Sequence, residues 1–154
     1  MSKLAISPHI HSGMSTAGIM LDVLIALLPA TVASVVIFGL KSLIVIAACV
    51  ITALVGEALF NIVTKRKQTI GDLSAVVTGM LISVVSPVTA PYWMILIGDF
   101  FAIIVVKQLF GGIGKNFVNP ALAGRAFLVG SYAGVMTTWI DPAAGKAPLM
   151  GSTA

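Results

Sequence analysis

Charged residues are scarce in this chain of 154 residues. They make up 9% of the sequence, whereas hydrophobic residues make up 58% and the mean hydropathy is +1.10. Soluble domains average about 25% charged residues, so this composition excludes an ordinary water-soluble fold and indicates an integral membrane protein. The net charge of +4 is small and spread along the chain, which argues against a nucleic-acid partner.

Cysteine is nearly absent, and this excludes two further classes of site. Cys49 is the only cysteine, so the chain can form no internal disulfide and no iron–sulfur site of its own. We interpret Cys49 as a small buried hydrophobic residue. The sequence contains no recognisable catalytic acid–base or nucleophilic triad, and we predict neither a catalytic residue nor a metal site.

Five apolar segments organise the chain, at about 17–40, 42–64, 73–88, 92–110 and 120–139. Most approach the roughly 20 residues that a helix needs to cross about 30 Å of hydrocarbon. The third is short, and we expect it to be a thin, broken or re-entrant element lining a protein-enclosed cavity. The predicted fold is therefore an all-α integral membrane protein with five transmembrane or partly re-entrant helices.

The basic residues predict one orientation. Three adjacent cations at 65–67 mark the loop after the second segment as cytoplasmic, which also places the N-terminal segment, 1–16, inside. If the third segment crosses, Lys107 and Lys115 lie inside and the loop at 140–154, after Trp139, lies outside. We expect residues 17–139 to form the membrane domain of a multi-pass protein of the cell's inner membrane, in contact with lipid.

The ionisable residues within the apolar segments include Asp22, Glu57, Asp99 and Arg125. An Asp or Arg at the centre of a membrane helix costs about 2.5–3.5 kcal/mol on insertion scales, so such residues face the protein interior, pair or lie near an interface. We take the three acids as candidates for an ion or proton pathway, with helix-to-helix pairing as the alternative. Arg125 could pair with one of them or hold an anion.

A polar, glycine-rich stretch lies between the last two segments. It reads Gly-Gly-Ile-Gly-Lys-Asn at 111–116 and continues to Asn119 and Pro120. Glycine permits positive φ at Gly112 and Gly114, and Asn119 followed by Pro120 is typical of a helix start. The stretch is either a tight, well-capped connection or a site for an anion such as a phosphate. Its spacing is not that of a P-loop, and its single Asn-Pro-Ala triplet does not match the aquaporins.

Several dispersed motifs occur in an order typical of one family. They are Ser7-Pro8-His9, the helix from Asp22 to Ala30, Glu57, Asp72-Leu-Ser-Ala75, Thr78-Gly79, Pro87 with Pro91-Tyr-Trp93, and the stretch 107–121. In these motifs the chain resembles the D subunit of the Rnf ion-translocating oxidoreductase complex, a family shared with the B subunit of the sodium-pumping NADH:quinone reductase. The resemblance covers nearly the whole chain, and 107–121 is its most specific part.

The resemblance implies a fold and a function. Members resemble the urea-transporter fold, a ten-helix inverted repeat, of which this chain would be the N-terminal half. It implies a membrane subunit of a ferredoxin:NAD oxidoreductase that couples flavin-based electron transfer to Na⁺ or H⁺ translocation. The implied partners are the C, G, A, E and B subunits. The implied cofactor is FMN, bonded through its phosphate to a threonine on the outer side, and riboflavin is a further candidate.

The end of the sequence bears on the flavin. The attachment motif resembles Ser-x-Ala-Thr, and Ser152, Thr153 and Ala154 match its first three positions. On this alignment the acceptor threonine would follow Ala154, with Thr153 as the less favoured site. The other expected flavin contacts are Gly112, Gly114, Asn116, Asn119 and Arg125. Two alternatives remain open, namely a solute or ion conduit of the same fold without a redox role, and a structural subunit.

Overall fold

The computed structural model describes residues 15–66, 68–140 and 148–149. Within them the chain forms six α-helices, one 3₁₀-helix, one π-helix and a two-residue antiparallel strand pair. The α-helices are α1 Thr16–Phe38, α2 Leu40–Val63, α3 Ser74–Val85, α4 Tyr92–Phe101, α5 Pro120–Ser131 and α6 Ala133–Met136. The predicted helical class is therefore confirmed, and the strands β1 Trp139–Ile140 and β2 Pro148–Leu149 are a minor addition.

Helices α1 and α2 form a helical hairpin. The side chain of Ser15 caps α1 by accepting a hydrogen bond from the N–H of Gly18 at 3.1 Å. A single residue, Gly39, separates the two helices, and its φ of +73° is a backbone conformation that favours glycine. Both helices are long and apolar enough to cross a membrane, with mean hydropathies of 2.4 and 2.5. No residue of α1 is buried, whereas one side of α2 lies in the core.

The chain between α2 and α4 is compact and short. A 3₁₀-helix, Ile70–Asp72, precedes α3, which has 12 residues and therefore spans about 18 Å. Helix α3 packs most extensively against α2. The predicted third segment is thus confirmed as short, because α3 covers about 18 Å of the roughly 30 Å of hydrocarbon.

Two predicted segments are interrupted. The fourth begins as α4 and continues as a π-helix, Ala102–Gln108. The fifth begins as α5 and breaks at Tyr132, before the four-residue α6. Two helices of the described structure have membrane-spanning length, so the count of five crossings and the urea-transporter-like repeat remain predictions.

The core lies where α2, α3, α4 and α5 meet. Glycines bring these helices together: a Cβ on Gly79 would lie 2.9 Å from the carbonyl oxygen of Cys49, and one on Gly124 would lie 2.8 Å from that of Gly98. Small residues at such crossings are typical of membrane helix packing. Large apolar side chains fill the remaining space, among them Val45, Ile82, Met94, Ile95, Leu128 and Met136.

Candidate functional site

A buried ion pair joins α2 to the π-helix. The Lys107 Nζ donates to Glu57 Oε2 at 2.9 Å, and the two side chains are 2% and 0% exposed. The π-helix carries both Lys107 and its neighbour Gln108 into the core. A π-helix is rare and is frequent at functional sites. The acid at position 57 is thus neutralised by a lysine within the membrane domain.

The second carboxylate oxygen of Glu57 is also fully engaged. Gln108 Nε2 donates to Oε1 at 2.8 Å, and the Thr69 hydroxyl donates to the same oxygen. Asn61 Nδ2 in turn donates to Thr69 Oγ1 at 3.2 Å. Thr69 thus donates to Glu57 and accepts from Asn61, so this side of the carboxylate is hydrogen-bonded by neutral groups alone.

Ser74 connects this cluster to the start of α3. Its hydroxyl accepts from Lys107 Nζ and donates to Asp72 Oδ1. Asp72 Oδ1 also accepts from the backbone N–H of Ser74 at 3.0 Å, which satisfies the first N–H group of α3. The ammonium of Lys107 is therefore held between a carboxylate on α2 and a hydroxyl on α3.

A pocket of about 230 Å³ opens beside Lys107. Its floor is polar, with Lys107, Ser74 and Thr78. Its remaining wall comes from apolar side chains of α1 and α3 and from the glycine-rich loop. These residues are Met20, Val77, Leu81, Ile113, Gly114, Asn116, Asn119 and Pro120. The arrangement is a mostly apolar pocket with a few converging polar groups, which is typical of small-molecule sites.

The glycine-rich loop takes the conformation that its sequence predicts. Gly112 and Gly114 have φ values of +91° and +79°. Asn119 caps α5 because its Oδ1 accepts from the N–H of Ala121 at 2.9 Å, and Pro120 occupies the first turn. Asn116 Nδ2 donates to the carbonyl of Val118 at 2.9 Å. These bonds leave Asn116 Oδ1 and Asn119 Nδ2 with no hydrogen-bond partner among the described residues.

The other predicted ionisable residues lie apart from this pocket. Asp22 is exposed on α1. Asp99 is 0% exposed, and neither carboxylate oxygen has a hydrogen-bond partner in the described part of the chain. Arg125 makes no ion pair there. Its guanidinium carbon lies 5.5 Å from the centre of the Trp139 ring, and its Nη1 is buried without a partner.

The sequence left open that Arg125 pairs with one of the three acids. Within the described residues it is Lys107 that pairs with an acid, namely Glu57. The sequence placed Lys107 in a cytoplasmic region, because the crossings counted from the loop at 65–67 put it inside if the third segment crosses. Its burial depends on the π-helix, which the sequence did not predict. Ser152 and Thr153 lie outside the described residues.

Comparison with known proteins agrees with the resemblance. A model of the NQR2, RnfD, RnfE family matches residues 3–153. The chain is 50% identical over 132 residues to the D subunit of the Na⁺-translocating ferredoxin:NAD⁺ oxidoreductase complex of Acetobacterium woodii, covering 86% of this chain and 42% of that protein. It is 44% identical over 144 residues to the D subunit of the ion-translocating oxidoreductase complex of Mannheimia succiniciproducens, covering 92% and 41%.

The chain thus spans about two-fifths of the length of these curated relatives. Their names describe subunits of a complex, and the long apolar helices agree with a membrane location. The match to the family model over residues 3–153 shows that this chain is a membrane protein belonging to the NQR2, RnfD, RnfE family.

Proposed function

We propose that this chain is a membrane subunit of an Rnf-type complex that binds flavin and couples electron transfer between ferredoxin and NAD to the translocation of Na⁺ or H⁺. The observation that carries the proposal is the adjacency of a mostly apolar pocket to a buried ion pair through Lys107. Because the pocket and the ion pair share one side chain, a charge in the pocket and the charge of Glu57 act on the same ammonium.

The pocket residues fit the ring of a flavin. Such a ring is flat and apolar on its faces, with hydrogen-bond donors and acceptors along one edge. Met20, Val77 and Leu81 offer apolar contact, and the loop offers Asn116 Oδ1 and Asn119 Nδ2, which bond to no other described residue. A Cβ on Gly114 would meet nothing within 4 Å, so the loop leaves open space there. A flavin bound here would supply the redox chemistry, while the chain positions it and excludes water.

A second, covalent flavin is proposed at the end of the sequence. Ser152, Thr153 and Ala154 match the first three positions of the attachment motif. We place FMN, bonded through its phosphate, on a hydroxyl residue immediately after Ala154, with Thr153 as the alternative acceptor. Arg125, whose Nη1 lacks a partner among the described residues, is available for the phosphate or the ring.

Flavin analysis of the purified membrane complex tests both sites. Acid precipitation releases the bound pocket flavin and leaves the covalent FMN on the chain, and peptide mass mapping locates it. We expect one released flavin per chain, lost in Asn116→Leu and Asn119→Leu, and one FMN at the predicted hydroxyl. Lys115→Met, on the same loop but outside the pocket lining, is the control. A complex made with its own flavin transferase that carries neither flavin would contradict the proposal.

One observation favours the alternative of a solute or ion conduit. Asp99 is fully buried without a hydrogen-bond partner among the described residues, and an acid within a membrane segment commonly marks an ion pathway. Asp22, Glu57 and Asp99 remain the proposed pathway residues under both functions. A flavin-free complex that still conducts ions would favour the conduit.

The proposed location and partners are supported by the family resemblance and by the basic residues. We place the protein in the inner membrane, with the loop at 65–67 cytoplasmic and residues after Trp139 external. The proposed partners are the C, G, A, E and B subunits of the complex. The exposed apolar surface of α1, which includes Leu28, Val32 and Val36, would contact lipid or other membrane helices.

A further inference from the structure

Lys107 belongs to two sites at once. Its ammonium holds Glu57 at 2.9 Å on one side, and its side chain lines the pocket on the other. Ser74, which accepts from the same ammonium, also lines the pocket. Glu57 does not line the pocket, so Lys107 and Ser74 separate the pocket from the acid. A charge in the pocket therefore acts on the same ammonium that neutralises Glu57.

The surroundings of Glu57 are rich in oxygen. Besides the two carboxylate oxygens they include Thr69 Oγ1, which donates its proton to Glu57 Oε1, and Ser74 Oγ, which accepts from the ammonium that Glu57 holds. Hard cations prefer carboxylate, carbonyl and hydroxyl oxygens as ligands. The Lys107 ammonium is the cation that Glu57 Oε2 and Ser74 Oγ hold in the present structure.

We propose that Lys107 is a movable counter-ion that links the charge of the pocket occupant to cation binding at Glu57. A negative charge in the pocket attracts the ammonium, and a monovalent cation of the Na⁺ class then binds Glu57 among the surrounding oxygens. This inference rests on the proposed function, because it takes the pocket occupant to be a flavin that gains negative charge on reduction. Ser74 lies between the two positions of the ammonium and can remain its partner in both.

The charge balance favours this exchange over movement of one charge alone. With the ammonium on Glu57, the pair is neutral and the pocket occupant is uncharged. With the ammonium at the pocket, one negative charge in the pocket is matched by Lys107 and Glu57 is matched by the incoming cation. Neither state leaves a buried charge unpaired, which would be strongly unfavourable. By linkage, a cation at Glu57 must stabilise the negative charge in the pocket as much as that charge stabilises the cation.

The experiment measures Na⁺ binding rather than turnover. The purified membrane complex is equilibrated with radioactive sodium at constant ionic strength and constant pH, once with oxidised flavin and once after reduction by dithionite, which supplies the electrons and is oxidised to sulfite. We expect reduction to tighten Na⁺ binding about tenfold, within the usual range of coupling between two sites. The Na⁺ bound at Glu57 is the part of the total that is lost in the Glu57→Gln variant, because this variant removes the carboxylate.

Variants of Lys107 separate coupling from simple binding. Lys107→Met leaves Glu57 without its counter-ion, so Na⁺ should bind tightly in both redox states, whereas Lys115→Met should respond to reduction as the unaltered protein does. The inference is overturned if the unaltered protein retains its pocket flavin but binds Na⁺ equally with oxidised and with reduced flavin. This comparison does not depend on whether Lys107→Met assembles. Absence of a pocket flavin would instead contradict the proposed function, and the inference with it.

Discussion

Lys107 and Glu57 lie 50 positions apart in the chain, yet their charged atoms are 2.9 Å apart in the core of the membrane domain. One residue comes from α2 and the other from the π-helix. Their pairing ties the two elements together at the level of the pocket. A buried charge on either element alone would be costly, and the pair explains how both are accommodated.

The first prediction concerns the stability of this pair. Lys107→Met leaves a buried carboxylate without its partner and should lower the free energy of unfolding by about 3–5 kcal/mol. The double variant Glu57→Gln/Lys107→Met should recover most of this loss, because it leaves no unpaired charge. Thermal unfolding of the purified protein in detergent measures both. If the double variant loses as much free energy of unfolding as the two single variants together, the two residues do not stabilise each other.

The second prediction concerns the crossing of α4 and α5. A Cβ on Gly124 would lie 2.8 Å from the Gly98 carbonyl oxygen and 2.9 Å from the Ala102 Cβ. Gly124→Ala should therefore force the helices apart and lower the thermal unfolding midpoint.

The matched control for this crossing is Gly130→Ala on the same helix. An added Cβ there meets nothing within 4 Å, and alanine favours a helix over glycine by up to about 1 kcal/mol. Its unfolding midpoint should stay the same or rise. Similar midpoints for Gly124→Ala and Gly130→Ala would contradict the packing argument.

The sequence predicted the features that depend on local chemistry. Asn119 and Pro120 predicted the start of α5, and the glycines at 112 and 114 predicted positive φ, because both follow from the backbone preferences of single residues. The hydropathy pattern likewise predicted α1 and α2, whose length and composition are sufficient to indicate them.

The pairing of Glu57 was not predictable in the same way. It depends on the π-helix turning Lys107 and Gln108 inward, and on α3 beginning with Ser74 beside Lys107. Both are consequences of tertiary packing. An apolar run such as 92–110 has the same hydropathy whether its backbone is α-helical or π-helical, so the sequence pattern carried no signal for the difference.

The third prediction concerns Asp99. Its carboxyl group is fully buried with no hydrogen-bond partner among the described residues, so exchanging it for an amide of the same shape breaks no hydrogen bond there. Asp99→Asn should keep the unfolding midpoint of the unaltered protein, whereas Glu57→Gln should lower it. If Asp99 lies on the ion pathway, Na⁺ transport by reconstituted vesicles should fall in Asp99→Asn without loss of assembly. A strong drop in midpoint would indicate a structural partner instead.

The fourth prediction concerns orientation. Three cations at 65–67 predict a cytoplasmic loop, and five crossings place residues after Trp139 outside. In a Cys49→Ala background, cysteines introduced at Gln68 and Gly145 should react with a membrane-impermeant thiol reagent from opposite sides. Labelling of both from the same side would show that one segment, most simply the short α3, does not cross.

The last prediction concerns the conformation of the glycine-rich loop. Gly112 and Gly114 have positive φ, while an added Cβ at either position would meet no atom within 4 Å. The constraint is therefore on the backbone and not on space, and valine, a β-branched residue, tolerates positive φ poorly. Gly112→Val and Gly114→Val should lower the occupancy of the pocket flavin, measured by fluorescence of the acid-released fraction.

Ile113→Val, between the two glycines, is the matched control for the loop. It removes one methylene from a residue that lines the pocket and leaves the backbone preference almost unchanged, so occupancy should fall little. Gly71→Ala provides a second control, because Gly71 has neither a positive φ nor a close neighbour. If the Gly112 and Gly114 variants retain as much flavin as Ile113→Val, the loop conformation does not shape the pocket, and the loop serves only to connect the π-helix to α5.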